Sequence, residues 1–179
     1  MRNPLLTIFA AAAFLLIGTN IAPIDLHAQT LQIDSATANW IEGFADFTRW
    51  PNESQSDRIT IGIINAPEVA TYLKRRADAR NSKPTLKVRN LNIDDSFGKL
   101  DIVFVGPGTR DRWDEIFKKC EGKGILCIGA QEGFNQKGGC VELVVRKNRL
   151  RFYIDTANAK KFDVTLSSKL LELSLDPKP

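Results

Sequence analysis

The chain has 179 residues, 43% hydrophobic and 26% charged, with 25 Lys and Arg against 21 Asp and Glu and a formal net charge of +4. Its single His is His27, just before an expected processing site, so the processed product lacks the commonest general base and the commonest zinc ligand. That excludes a Ser-His-Asp hydrolase, a Cys-His nucleophile pair and any metal centre built on His.

Arg2 gives a short positive start, and from Leu5 to Ile17 only Thr7 is polar. The run is shorter than the ~20 residues a bilayer-spanning helix needs. The polar stretch Gly18 to Gln29, with Pro23, has the form of a cleavage region. Residues 1–28 therefore read as a signal peptide cut after Ala28, and residues 29–179 as one exported, periplasmic domain. No Cys follows the cut, so lipid anchoring is not expected, and no later apolar run reaches bilayer-spanning length.

Asp34 or Ser35 is the expected cap of an opening helix in which Trp40, Phe44 and Phe47 recur at helical spacing. Trp50-Pro51 is expected to end it, because proline disfavours helical geometry in the residue before it. Residues 59–64 read as a strand. Asn65 then caps a helix with Pro67 in its first turn, running to about Ala79. Residues 85–91 form a strand with Lys87 and Arg89 outward, and Leu100–Gly106 reads as a buried parallel strand.

After Gly106-Pro107-Gly108-Thr109, with Thr109 as expected N-cap, comes a helix holding Trp113, Ile116 and Phe117. Ile125–Gly129 is a further buried strand. Gly138-Gly139 permits a bend into a hairpin, 140–146 and 149–155, turning at Lys147-Asn148. Helical turns at 156–162 and 167–173 close the chain. Strands and helices alternate, which predicts an α/β fold: a single, three-layer-like domain with a mixed β-sheet and flanking helices.

Chemistry-bearing motifs are few. The Gly-Pro-Gly-Thr junction matches neither phosphate-binding loop pattern and reads as a tight turn. Carboxylates at Asp94-Asp95 and at Asp111, Asp114 and Glu115 lack a calcium-loop pattern and suit a turn and a helix start. Neither a metal nor a cofactor is expected, nor catalysis. The three cysteines allow at most one bridge within the chain. Cys120–Cys127, joining a helix end to the next strand, is the disulfide candidate, and burial of all three as small hydrophobes stands beside it.

Charge is unevenly spread. Lys74, Arg75, Arg76, Arg80, Lys83, Lys87 and Arg89 face Asp78 alone across residues 72–89. Arg146, Lys147, Arg149, Arg151, Lys160 and Lys161 face Asp155 alone across residues 145–161. The opening helix and its loop are acidic, with Asp34, Glu42, Asp46, Glu53 and Asp57. Export removes nucleic acid as the partner of the basic segments. An acidic protein face or an anionic membrane surface remains, the alternative being a solvated face that keeps the protein soluble. Candidate partner contacts are Trp40, Phe44 and Phe47 with Arg75, Arg76, Arg146 and Lys147, although such aromatics also suit a core-facing stripe. A homodimer and peripheral membrane contact are both compatible with this pattern.

Two segments together resemble the YfiR-like family of small exported proteins. Ala38-Asn39-Trp40-Ile41 through Phe44, Phe47 and Trp50-Pro51 is similar to its aromatic opening helix. Near the end, Gly138-Gly139, the strand Arg149 to Ile154 with Phe152, and Leu166-Ser167-Ser168-Lys169-Leu170-Leu171 follow the family's order. Leu100 to Val105 occupies the place of its central strand, but that strand often opens on Cys, where Asp101 stands here. Asp155 and Asp163 replace a usual Asn and Gly, so no family disulfide carries over.

The resemblance implies a periplasmic regulator that binds the exported part of an inner-membrane diguanylate cyclase or sensor protein, lowering cyclic-di-GMP and biofilm formation. It offers no catalytic residues. The shared positions Trp50, Pro51, Gly138, Gly139, Phe152, Ser167, Ser168, Leu170 and Leu171 are expected to be structural: a helix end, a bend, and a last helix anchored by Leu170-Leu171. The alternative is a periplasmic small-molecule binding module with an aromatic-lined pocket.

Overall fold

Two strands, β4 (Ile102–Val105) and β5 (Leu126–Gly129), are buried at every position, which requires cover on both faces of the sheet they belong to. The structure, a computed structural model, describes residues 26–51 and 57–176. Within these, β2 (Arg58–Ile64), β3 (Thr85–Leu91), β4, β5, β6 (Val141–Arg146) and β7 (Arg149–Ile154) form one sheet in the order β3-β2-β4-β5-β6-β7. Neighbours from β3 to β6 are parallel, and β6–β7 is antiparallel. The mixed sheet with flanking helices is the α/β fold the alternation of elements predicts.

The opening helix is longer at one end than expected and shorter at the other. α1 runs Leu26–Phe47 and so begins before Asp34, because no proline or glycine interrupts residues 26–34. The expected cut after Ala28 falls in its first turn, and the rest of the signal segment, residues 1–25, lies outside the described residues. At the other end the helix stops at Phe47, before Trp50-Pro51. Thr48–Arg49 (β1) instead pairs antiparallel with Thr165–Leu166 (β8), and Ser167 donates its N–H to the Phe47 carbonyl at 3.0 Å. A β-branched residue and a waiting partner strand end the helix before proline does.

α2 (Pro67–Ala79) begins at proline as expected, but its N-cap is Ala66. Asn65 sits at φ 50° and donates its side-chain amide to the Pro107 carbonyl. Thr109 likewise does not cap. The chain enters α3 (Trp113–Cys120) through a 3₁₀ turn at Arg110–Arg112, and the Thr109 hydroxyl donates to the Gly106 carbonyl at 3.0 Å. α4 (Thr156–Lys161) is capped by the Asp155 carboxylate, and α5 (Ser168–Leu173) by the Ser167 hydroxyl.

Two aromatic clusters fasten helices to the sheet. Trp40 and Phe44 of α1 meet Phe152 of β7 edge-on, with ring centroids 4.7 and 5.1 Å away. Phe134, in the segment after β5, sits against Trp113 at 5.0 Å and Phe117 at 5.1 Å. Gly138 has φ 127° and Gly139 passes so close to Phe134 that a Cβ there would lie 2.2 Å from the ring, so the pair makes the expected bend for a packing reason.

Candidate functional site

In doubly wound sheets, ligands enter at the carboxyl ends of the strands, where the strand order reverses. Here that point lies between β2 and β4, and the chain has filled it. A Cβ on Gly106 would fall 2.2 Å from the Asn65 carbonyl oxygen. The Gly106 carbonyl accepts from the Thr109 hydroxyl and from Gln131 Nε2, each at 3.0 Å, and Trp113 Nε1 donates to Thr109 Oγ1 at 3.3 Å. The side-chain donors at this junction, from Thr109, Gln131 and Trp113, are committed to the protein itself.

The surface charges resolve in a way the sequence concealed. The first basic segment lies against the acidic opening helix: Arg76 Nε pairs with Glu42 at 2.6 Å, Arg80 with Glu42 at 2.9 Å and with Asp46, and Lys83 with Asp57. Arg80 is the centre of this network, its guanidinium largely buried and held charged by Asp46 and Glu42. Arg75 is exposed and lies over the Tyr72 ring at 4.9 Å. Arg76 and Arg80 are therefore spent on tying α2 to α1, while Lys74, Arg75, Lys87 and Arg89 stay exposed with no ion pair among the described residues.

The second basic segment is not spent. β6 and β7 meet at Lys147 and Asn148, both at positive φ (48° and 58°), the geometry of a two-residue type I′ turn. Arg146, Lys147, Arg149 and Arg151 project from this hairpin exposed, and none makes an ion pair among the described residues. Lys147 stands where Gly or Asn would fit with less strain. Next to the cations, Val145 is 44% exposed. A groove of about 250 Å³ between the hairpin and the first half of α1 is lined by Ile33, Ala36, Trp40, Val145 and Leu150. An apolar strip with a cationic rim has the anatomy of a protein-binding surface.

The predicted contacts therefore divide. Trp40 lines the apolar groove with Val145 and Leu150, whereas Arg146 and Lys147 line a separate groove with Arg151 and Tyr153, and only Arg149 borders both. Phe44 is 0% exposed and cannot touch a partner, which corrects its assignment as a contact: its ring is core against Phe152. Phe47 is 38% exposed, on a different surface, with Lys169 Nζ 4.7 Å above its ring. Arg75 and Arg76 lie on α2, away from the hairpin strands. Arg149 and Arg151 were passed over as contacts, although strand alternation places both on the outward side of β7.

Among the positions expected to be structural, Leu170 is buried, but Leu171 is 38% exposed, so only the first leucine anchors α5. Trp50-Pro51 does not end α1; it walls a cavity of about 400 Å³ at the amino ends of the strands, together with Thr48, Ile59, Leu100 and Asp101. All three cysteines are buried free thiols, so this structure is that of the reduced protein and carries no Cys120–Cys127 bond. Cys120 and Cys127 are nonetheless hydrogen-bonded neighbours, and Cys140 N–H donates to the Cys127 carbonyl at 3.1 Å. Burial pushes the Cys127 thiol well up and the Cys140 thiol up to about 12. Among the described residues no group of His, Cys, Asp and Glu is arranged to hold a metal, and no helix is long and apolar enough to cross a membrane.

No curated protein matches the sequence. A conserved domain protein from Vibrio cholerae O1 biovar El Tor matches in fold at a TM-score of 0.52 with 10% identity, over 79% of this chain and 58% of that one. An ABC domain in complex with L-Trp from Streptococcus pneumoniae reaches a TM-score of 0.49 with 10% identity, over 65% of this chain and 54% of that one. The chain thus spans little more than half the length of either solved chain. Residues 34–175, from early in α1 to the bridge that Leu175 makes with Tyr153, match the YfiR/HmsC-like family model. The chain belongs to the YfiR/HmsC-like family, whose members are periplasmic regulators of diguanylate cyclase signalling.

Proposed function

We propose that this protein is a periplasmic adaptor that binds the exported part of an inner-membrane diguanylate cyclase or sensor protein and so modulates cyclic-di-GMP output. The observation that carries the reading is the hairpin of Arg146, Lys147, Arg149 and Arg151, exposed and without an ion pair among the described residues, with the Trp40 groove along its apolar side. Opposite charge on the partner steers encounter and fixes orientation, and the apolar strip supplies the buried contact. Regulation then follows from differential affinity: the adaptor shifts the partner only by as much as it prefers one of the partner's two states. No chemistry on a substrate is required, so the chain acts as a regulator rather than an enzyme.

Deleting the gene tests this. Cyclic-di-GMP and surface attachment rise in the deletion strain and return on complementation if the protein restrains a cyclase. Unchanged levels of both would overturn the reading. A second reading, a small-molecule binding module, has the cavity beside Trp50 in its favour.

A further inference from the structure

The cavity at the amino ends of the strands lies away from the hairpin and has a chemistry of its own. Its floor and walls are apolar at Ala45, Ile59, Leu100 and Pro84, with the half-buried Trp50 ring on one side. Its volume of about 400 Å³ is within the range of small-ligand sites. Backbone donors at this edge of the sheet are already used. Thr60 N–H donates to Asp101 Oδ2 at 2.7 Å, Asp101 N–H to the Thr60 carbonyl at 2.9 Å, and Thr85 N–H to the Asp57 carbonyl at 2.8 Å. An anion would find no free amide among these.

What remains unsatisfied is acceptor capacity. Asp46 has Arg80 and Asp57 has Lys83. Asp101 has no cation among the described residues, and its half-buried carboxylate keeps only the Thr60 amide. Burial holds its acidity below that of an ordinary aspartate. The second unsatisfied group is the Thr48 hydroxyl, on a residue 4% exposed, whose oxygen has no hydrogen-bond partner among the described residues. Thr48 belongs to the wall of the same cavity, but its hydroxyl oxygen is closed off inside that wall, so Asp101 is the acceptor an occupant can reach. Lys123 stands at the rim but is exposed to water, which screens it.

We infer that this cavity binds a small organic ammonium with an apolar body, its N–H groups donating to the Asp101 carboxylate oxygens and its body lying against Trp50. The cation supplies the counter-charge that Asp101 lacks, an ammonium offers up to three donors for these acceptors, and the Trp50 face favours positive charge over neutral or negative groups. This rests on the small-molecule reading and is independent of hairpin docking.

Three probes of one shape separate the possibilities: phenethylamine, phenethyl alcohol and 3-phenylpropionate, each titrated into the purified protein by calorimetry and thermal shift. Phenethylamine is expected to bind and raise the melting temperature with concentration, the alcohol and the anion far less. Asp101→Asn, which keeps an acceptor for Thr60 N–H, weakens phenethylamine by at least about ten-fold, and Trp50→Leu, which removes the aromatic face, by about five-fold. Equal binding of the alcohol, or phenethylamine affinity that survives Asp101→Asn, overturns the ammonium assignment while leaving a ligand site. Absence of binding by all three overturns the site as well. Trp50→Leu reads the cavity independently should Asp101→Asn fail to fold.

Discussion

At the scale of single residues, burial sets the chemistry of the thiols and of Asp101. Cys120, Cys127 and Cys140 are buried, and the raised thiols of Cys127 and Cys140 stay protonated at neutral pH. A thiol raised above its unfolded value of about 8.5 contributes stability that is complete below that pH and declines as pH climbs toward the folded value. The reduced protein therefore loses stability in alkali. Because Cys120 and Cys127 are neighbours, they are the pair that oxidation would join. Protein taken unreduced from the periplasm and denatured in alkylating agent is expected to label at Cys140 alone, with all three labelling after reduction. Labelling of all three without reduction would contradict the pairing.

Asp101 gives the opposite test. Its folded pKa lies above its unfolded one because burial disfavours the charged carboxylate. Its contribution is thus fully present below the unfolded value of about 4 and is lost as pH rises through the folded one. Asp101→Asn removes the buried charge and keeps the Thr60 acceptor, so at pH 7 the variant should melt at a higher temperature than the parent. The gain should shrink toward pH 3. A lower melting temperature at pH 7 would show that the carboxylate is satisfied after all. Stability gained by deleting a charge that a ligand would use is the usual trade at a binding site.

At the scale of elements, what the sequence disclosed depended on whether the information was local. The Lys147-Asn148 turn, the Pro67 helix start, the short closing helix beginning at Ser167 or Ser168 and the all-buried strands β4 and β5 follow from residue types a few positions apart, and each is where the pattern put it. The end of α1 is not local: Thr48–Arg49 become a strand only because Thr165–Leu166, more than a hundred residues later, lies beside them. The roles of the helix aromatics are not local either. Helical spacing groups Trp40, Phe44 and Phe47, but only the arrival of Phe152 decides that Phe44 is core while Phe47 is left partly exposed. Phe44→Ala should cost about 3–5 kcal/mol in denaturant unfolding, and Phe47→Ala about 1 kcal/mol or less. Similar costs for both would mean that the core boundary is drawn in the wrong place.

At the scale of the whole molecule, the sequence showed two basic segments and an acidic helix, but not which of them would meet. The α1–α2 contact neutralises Arg76 and Arg80 of the first basic segment, whereas the hairpin keeps Arg146, Lys147, Arg149 and Arg151 exposed and free of ion pairs among the described residues. The cavity with Asp101 and Thr48 was equally hidden, because it assembles residues from α1, β1 and the starts of four strands. The proposed docking surface and the proposed ligand cavity have no lining residue in common. Coupling between them would be a free energy shared through the domain, measurable as a change in either affinity when the other site is filled.

The central claim, that the unpaired hairpin is the regulatory surface, is tested most directly by cyclic-di-GMP levels in cells carrying Arg149→Glu/Arg151→Glu, compared with cells carrying Arg75→Glu on α2, all exported in equal amount. The hairpin variant is predicted to match the deletion strain while the α2 variant matches the parent. Full regulation by the hairpin variant would contradict it.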